Sequence, residues 1–142
     1  MSKGNTFETD LLKLVFNGTP IANIADNAAT SPLTNLYLAL HTADPGETGD
    51  QTTNECAYTS YGRVAVARTT GGWTVTNNSV SPVADIEFPT ATGGTETATH
   101  ASIGVATSGA SKILYKGALS SPIAIATGIT PVVAAGSTIT ED

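Results

Sequence analysis

The sequence predicts an all-β protein: an antiparallel β-sandwich or jelly roll of about eight or nine short strands, with a short N-terminal helix and an arm. Three observations support this fold class. Apolar and polar residues alternate in short runs, turn residues separate these runs at roughly ten-residue spacing, and only one segment has the periodicity of a helix. No fixed repeat period is present, which argues against a solenoid.

The segment 5–17 is the predicted helix. Asn5 and Glu8 have the spacing of a capping box, and Gly18 stands where a helix ends. The helix has a central apolar stripe, and Leu12 and Phe16 on one side of it widen the apolar surface to an arc of roughly 200°. This arc is wider than the surface that one face of a small sheet domain usually covers. Two explanations stay open: the helix is buried between two layers of its own domain, or it also contacts a neighbouring subunit. We predict that the central stripe of the helix binds a partner, and this stripe consists of Phe7, Leu11, Leu14 and Val15.

The segment 18–35 is predicted to be an irregular connection or an extended arm, because it contains two prolines, Pro20 and Pro32, among small polar residues. After it, the hydrophobic pattern changes to period two. We therefore predict two parts: a helix and arm over 1–35, and a β-sandwich domain over 36–142.

The strand predictions rest on period-two alternation bounded by turn residues. Leu36, Leu38 and Leu40 alternate with other side chains until Asp44-Pro45-Gly46 breaks the run, and Asn77-Asn78 marks a tight turn. The predicted strands are 35–41, 63–67, 73–75, 84–88, 96–105, 112–119, 123–126, 131–134 and 137–140.

Composition limits the classes of function. Charged residues make up only 13% of the 142 residues, whereas a monomer's surface normally holds more Lys and Glu. Much of this surface is therefore expected to contact other subunits. No apolar run approaches the ~18 residues of a membrane span, and the start lacks the apolar core of a signal peptide, so we expect no membrane partner and synthesis in a cytoplasm.

The net charge is −6, from twelve Asp and Glu against six Lys and Arg. The six cations are scattered, whereas binding to a phosphate backbone needs clustered cations, so no direct nucleic-acid binding is expected. Cys56 is the single cysteine and can form neither an internal disulfide nor, alone, a zinc site, which fits a reducing compartment.

The two histidines are the obvious candidates for catalysis. His41 and His100 fall on polar-face positions of predicted strands, with Asp44 and Glu96 as their nearest acidic neighbours in the sequence. Neither spacing places the partners side by side, since Glu96 and His100 lie about 13 Å apart along an extended strand. We interpret both as partly exposed strand histidines that hydrogen-bond locally.

The remaining motifs point to no chemistry. The acidic loop from Asp44 to Glu55 could gather calcium ligands, but it lacks the EF-hand spacing, so we interpret it as a solvated loop. The glycine-bearing segment 104–112 lacks the lysine position of a phosphate-binding loop and is interpreted as a hairpin turn. The thiol of Cys56 has no neighbouring histidine in the sequence and is expected to be unreactive. We therefore predict no catalytic, cofactor-binding or metal-binding residues and no cofactor.

Several segments are characteristic as a set. They are LYLALHTADPG (36–46), YGRVAV (61–66), IEFP (86–89), THASIG (99–104) and LYKGAL (114–119). Their order resembles a family of small tailed-bacteriophage virion proteins, described either as tail-fibre-like proteins or as head decoration (cement) proteins. The resemblance runs from about Leu36 to the C-terminus.

The resemblance implies a non-enzymatic structural subunit present in many copies. The expected role is capsid decoration, in which the subunit binds the major capsid protein on the outer head surface and also copies of itself, as a dimer or trimer. The alternative is a tail-fibre or baseplate-associated adhesion subunit. A carbohydrate-binding role would need an exposed aromatic cluster of Tyr58, Tyr61 and Trp73, which otherwise pack in the core or against loops.

Overall fold

The computed structural model describes residues 5–21, 25 and 32–141, and over these residues the chain forms one helix and nine strands. The helix α1 spans Asn5–Asn17, where it was predicted. The strands are β1 (Asn35–His41), β2 (Val64–Ala67), β3 (Trp73–Thr76), β4 (Ser79–Pro82), β5 (Ile86–Glu87), β6 (Glu96–Gly104), β7 (Ile113–Ile125), β8 (Val132–Val133) and β9 (Ile139–Thr140).

The strands form three sheets with the orders β2-β1-β6-β7, β3-β4-β9 and β5-β8. The pairs β1–β6, β6–β7, β3–β4 and β4–β9 are antiparallel. The prediction of an all-β protein with antiparallel sheets and one N-terminal helix is therefore confirmed. The jelly-roll topology stays a prediction.

The chain groups into two compact units. The first unit takes its described residues from 1–35, 67–86 and 134–142, and the second consists of 36–66 and 87–133. The first change of unit along the chain falls between Asn35 and Leu36. The division into a helix and arm over 1–35 and a sandwich over 36–142 stays a prediction.

In the first unit, α1 packs on the hairpin of β3 and β4. Leu12 and Phe16 are fully buried, and the Phe16 ring meets the Trp73 ring edge to face with centroids 4.8 Å apart. Glu8, one turn before Leu12, is also buried. The buried line of the helix is therefore Glu8, Leu12 and Phe16, and it lies beside the central stripe of the predicted apolar arc.

Both ends of α1 are tied to other segments of the first unit. Thr9 donates a hydrogen bond from its hydroxyl to the Asn77 carbonyl at 2.7 Å, in the two-residue turn between β3 and β4. At the other end, Arg68 donates from Nε to the Val15 carbonyl at 2.6 Å and from Nη2 to the Leu14 carbonyl. The last carbonyls of a helix lack helical partners and carry partial negative charge, so the guanidinium stabilises this end.

In the second unit, β1 is an inner strand of the four-stranded sheet and runs antiparallel to β6, from Tyr37 opposite Gly104 to His41 opposite His100. Leu36, Leu38 and Leu40 are buried as their alternation predicts. Ala39 and His41 are buried too, so the polar face predicted for this strand is wrong in its second half. An inner strand covered on both faces has no solvent-exposed side.

The strand β7 contains a wide bulge. Ala98 of β6 pairs with Ile123, but the next paired residue, His100, lies opposite Ala118. Four β7 residues, 119–122, therefore face the single residue Thr99. The sequence predicted two strands separated at Ser120-Ser121-Pro122, but the chain forms one continuous strand, because a bulge accommodates the residues that break the ladder.

Candidate interaction surface

The four predicted partner-binding residues lie on α1 outside its buried line. Phe7 is 40% exposed, and Leu11, Leu14 and Val15 are half-buried. Phe7, Leu11 and Leu14 follow the i, i+4, i+7 spacing that places side chains on one line of a helix, and Val15 falls between this line and the buried one. Over the described residues, the helix thus has two lines with apolar side chains: the line with Leu12 and Phe16 is buried in the core of the first unit, and the other line is half-buried or exposed. Partner binding by the other line stays a prediction.

His41 is the centre of a buried polar network in the second unit, which corrects its interpretation as a partly exposed side chain. Its Nδ1 lies 2.9 Å from the Thr53 carbonyl oxygen, and its Nε2 lies 2.8 Å from Oγ of Ser102. The Gln51 amide nitrogen lies 3.3 Å from the same Ser102 oxygen and 3.0 Å from the Tyr37 carbonyl oxygen. His100, by contrast, is half-buried and contacts the Thr99 hydroxyl at 2.9 Å.

The network assigns one tautomer to His41. A carbonyl oxygen only accepts, so Nδ1 must carry the proton and donate to Thr53. Nε2 then accepts from the Ser102 hydroxyl, and Ser102 accepts in turn from Gln51. These bonds are complete only while the imidazole is neutral. Burial accordingly lowers the pKa of His41, against smaller opposing effects of the Thr53 carbonyl and Glu55.

Ser102 and His41 share the hydrogen bond of a nucleophile and its base. Both residues are buried, however, and Gln51 occupies a further position on the serine oxygen. A substrate cannot approach this hydroxyl in the folded sheet. The arrangement joins the loop that carries Gln51 and Thr53 to strands β1 and β6, and it helps to hold β1 and β6 in one register.

Glu55 and Arg63 form a second polar group, which is half-buried. Arg63 donates from Nε and Nη2 to the two Glu55 oxygens at 2.7 and 2.9 Å, and its other bonds go to the Ala106 and Gly109 carbonyls. The Tyr61 hydroxyl donates to Glu55 at 3.0 Å and accepts from the Leu40 amide at 3.1 Å. Burial raises the pKa of Tyr61, which keeps it protonated as a donor.

Cys56 is buried. Burial, with the Glu96 carboxylate beside it, raises the pKa of the thiol to about 12. A thiol with such a pKa holds its proton at neutral pH and is a poor nucleophile. Burial and the raised pKa support the prediction of an unreactive thiol, which stays a prediction.

The acidic loop after β1 pairs with a lysine. Lys116 Nζ lies 3.0 Å from an Asp44 oxygen and 2.9 Å from a Glu47 oxygen. Hydrogen bonds from the Gly46 amide and from Lys116 lower the pKa of Asp44. Beside this pair is an open cleft of about 290 Å³, lined by Gly46, Glu47, Gly49, Ile113, Leu114, Tyr115 and Lys116. Over residues 5–21, 25 and 32–141 no three His, Cys, Asp or Glu side chains are grouped so as to hold a metal ion.

The aromatic residues considered for sugar binding are not an exposed cluster. Trp73 is buried in the first unit and Tyr58 in the second. The Tyr58 hydroxyl donates to the Pro89 carbonyl at 2.8 Å, and the ring meets Tyr61 edge to face at 5.3 Å. The interpretation as packing residues is confirmed, and the exposed-cluster alternative is wrong.

In the described part of the chain, no helix is long and apolar enough to cross a membrane.

Comparison with protein families shows the family to which this chain belongs. The family described as podophage GP4 fiber I protein gp80 (Gp80) matches residues 2–141. The chain belongs to the Gp80 family. A search of curated proteins gave no match.

Membership in the Gp80 family confirms the resemblance to phage virion proteins and gives the chain a structural role in the virion. The match begins at residue 2, so it includes the helix α1 and the segment after it, which the motifs from Leu36 onward did not cover. The Gp80 description is that of a fibre protein.

Proposed function

We propose that this Gp80-family protein is a non-enzymatic subunit of a fibre at the tail of the virion, where it binds another virion protein and copies of itself. The match to a fibre family over residues 2–141 carries the proposal. The potentially reactive side chains of the second unit support the proposal. His41 and Ser102 are buried and hydrogen-bonded to each other, and Cys56 is buried and holds its proton. A fibre subunit needs stable surfaces for partners and no reactive group.

The low charge of the chain also supports a role in assembly. Only 13% of the residues are charged, and protein interfaces are depleted of charged residues at their centres. The second apolar line of α1 gives one docking surface, with Phe7, Leu11 and Leu14 toward the partner and Val15 at its border. Many copies along a fibre multiply a modest contact into stable attachment.

Copy number per virion tests the location. Quantitative mass spectrometry of purified particles should give a number on the order of tens for a tail fibre, as expected for a small symmetric oligomer. Immunogold labelling of the same particles should mark the tail. A number on the order of hundreds with label over the head would instead support decoration of the major capsid protein lattice and overturn the tail proposal.

Charge on the second apolar line tests the docking surface. Leu11→Asp places a carboxylate where we expect a dry contact, so the variant should fold but be incorporated into virions at least tenfold less. Thr6→Asp adds the same charge on the exposed polar side of α1 and should be incorporated normally. Equal incorporation of both variants, at equal melting temperatures, would show that the line contacts no partner.

A further inference from the structure

Three segments of the second unit form a surface joined by hydrogen bonds: the loops 57–60 and 89–95, and the loop 126–132 that includes the first residue of β8. Backbone hydrogen bonds join the first loop to the second, with the Thr59 amide on the Gly93 carbonyl at 2.9 Å and the Thr92 amide on the Thr59 carbonyl at 3.1 Å. Others join the second loop to the third, including the Ala91 amide on the Ile129 carbonyl at 2.9 Å. Loops fixed in this way present a surface that needs little ordering on binding.

Side chains add to this cross-linking. The Ser60 hydroxyl donates to the Thr90 carbonyl at 2.6 Å, and the Thr90 and Thr130 hydroxyls lie 2.6 Å apart. Ser60 has a φ of 79°, a left-handed conformation that is uncommon for residues other than glycine. Such a conformation persists only where the surroundings hold it, and it is frequent at binding surfaces.

These loops are built from uncharged residues, and one carboxylate, that of Glu96, lies against the first loop, where it accepts from the Ala57 amide at 2.9 Å. None of the residues in 57–60, 89–95 and 126–132 is Asp, Glu, Lys, Arg or His. Ile129 and Val132 are 42% and 37% exposed, so apolar groups stand among hydroxyls. We call this surface the hydroxyl patch, and its exposed members include Thr59, Ser60, Thr90, Ile129, Thr130 and Val132.

The charge of the chain indicates which partner this surface suits. Two copies of a chain with net charge −6 repel each other, and an interface between identical chains often brings like charges together. The hydroxyl patch reduces that cost because none of its own residues is charged. Its mixture of exposed aliphatic groups and hydroxyls, without an exposed aromatic ring for stacking on a sugar, suits a protein surface of the same composition.

We propose that the hydroxyl patch is the surface through which copies of this chain associate with one another. The proposal rests on the self-association part of the proposed function and names the face that performs it. It is independent of the second apolar line of α1, which we propose binds another virion protein. It also places the strained Ser60 turn and the exposed Ile129 in one interface.

Sedimentation equilibrium of the purified full-length chain tests the proposal. Ile129→Asp introduces a negative charge into the patch of every copy, and we expect the dissociation constant to rise at least tenfold. Val83→Asp is the matched control: Val83 is 49% exposed but belongs to the first unit, so the same change there should leave association unaltered. Circular dichroism and melting temperature establish that each variant is folded.

Salt and a second variant keep the outcome decisive. In about 1 M salt, where charge screening acts within roughly 3 Å, the Ile129→Asp variant should regain part of its association. Val132→Asp should repeat the loss independently. If the wild type associates and both patch variants associate equally well, the hydroxyl patch is not the interface, although self-association stands. A wild type that stays monomeric at every concentration would overturn both self-association and the patch, while leaving the fibre location to the copy-number test.

Discussion

Each of the two units of this chain is stabilised internally by a different kind of contact. The first unit is built on apolar packing, with Phe16 against Trp73 and Leu12 beside them. The second unit buries polar side chains as well, and His41, Gln51 and Ser102 are joined in one hydrogen-bonded network. Apolar packing depends on volume and tolerates similar shapes, whereas a buried network depends on the position of each donor and acceptor. The two units should therefore respond to different perturbations.

The largest expected effect is the loss of aromatic packing in the first unit. Phe16→Ala removes a fully buried ring, and such truncations lower the free energy of unfolding by about 3–5 kcal/mol. Phe7→Ala, on the same helix but 40% exposed, should cost less than about 1 kcal/mol. Urea unfolding followed by the fluorescence of Trp73, the single tryptophan, measures both. Equal losses would mean that the two rings are packed equally well, and a larger loss for Phe7→Ala would mean that the buried and exposed lines of α1 are assigned the wrong way round.

A smaller effect is expected from crowding the network of the second unit. A Cβ added at Gly104 of β6 would lie 2.1 Å from the Gln51 amide, which is buried and bonded to Tyr37 and Ser102. Gly104→Ala should therefore lower the free energy of unfolding by about 1–3 kcal/mol. Gly117→Ala on β7 meets no atom within 4 Å and is the control, expected to be neutral or slightly stabilising.

The double variant shows whether Gln51 is the cause of that loss. On a Gln51→Ala background the space at Gly104 is open, so adding Gly104→Ala should cost clearly less than it does in the wild type. If the two losses simply add, the strain lies elsewhere in β6 and the Gln51 contact is not responsible.

The smallest effect is a dependence on pH that is confined to the second unit, since both histidines belong to it. The pKa of folded His41 is lowered by burial, so the unfolded state binds the proton first as the pH falls below about 6.5. The stabilisation is present above that pH and is lost below it, with a slope of at most about 1.4 kcal/mol per pH unit for one proton.

Unfolding by urea at intervals between pH 5 and 7.5 measures this slope. His41→Gln should remove it, whereas His100→Gln, on the neighbouring strand and half-buried, should retain it. Glu55, Arg63 and His100 also act on the charge state of His41, so NMR titration of the His41 ring should accompany the unfolding data. An unchanged slope in the His41 variant would show that other groups cause the acid sensitivity.

The sequence was sufficient to predict the helix and most strand positions because those depend on local signals. Gly18, with a φ of 66°, ends α1 where its position indicated, and Asn77 has the left-handed conformation of the predicted turn. The face of the helix was harder to predict. Glu8, noted in the sequence only for its capping-box spacing, is buried, because side-chain burial depends on what packs above it.

The two polar networks could not be predicted from spacing. Gln51 and Ser102 are 51 residues apart and meet only because β1 and β6 pair in one register. Arg63 and Glu55 lie eight residues apart, and no spacing rule links them, although Arg63 stands in the characteristic segment YGRVAV. The scarcity of charge was one signal. Arg63 is one of six Lys and Arg in the chain and lies in a predicted alternating strand, which indicates a structural role. The hydroxyl patch had no such signal, since Ser and Thr are common in loops.

The bulge in β7 has a consequence for how the protein behaves at high concentration. β7 lies at the end of its sheet, and a long straight strand in that position invites pairing with strands of other molecules. Residues 119–122 distort this strand, and the exposed Pro122 lacks an amide to donate to an incoming chain. This edge is therefore a poor template for pairing with the strands of another molecule.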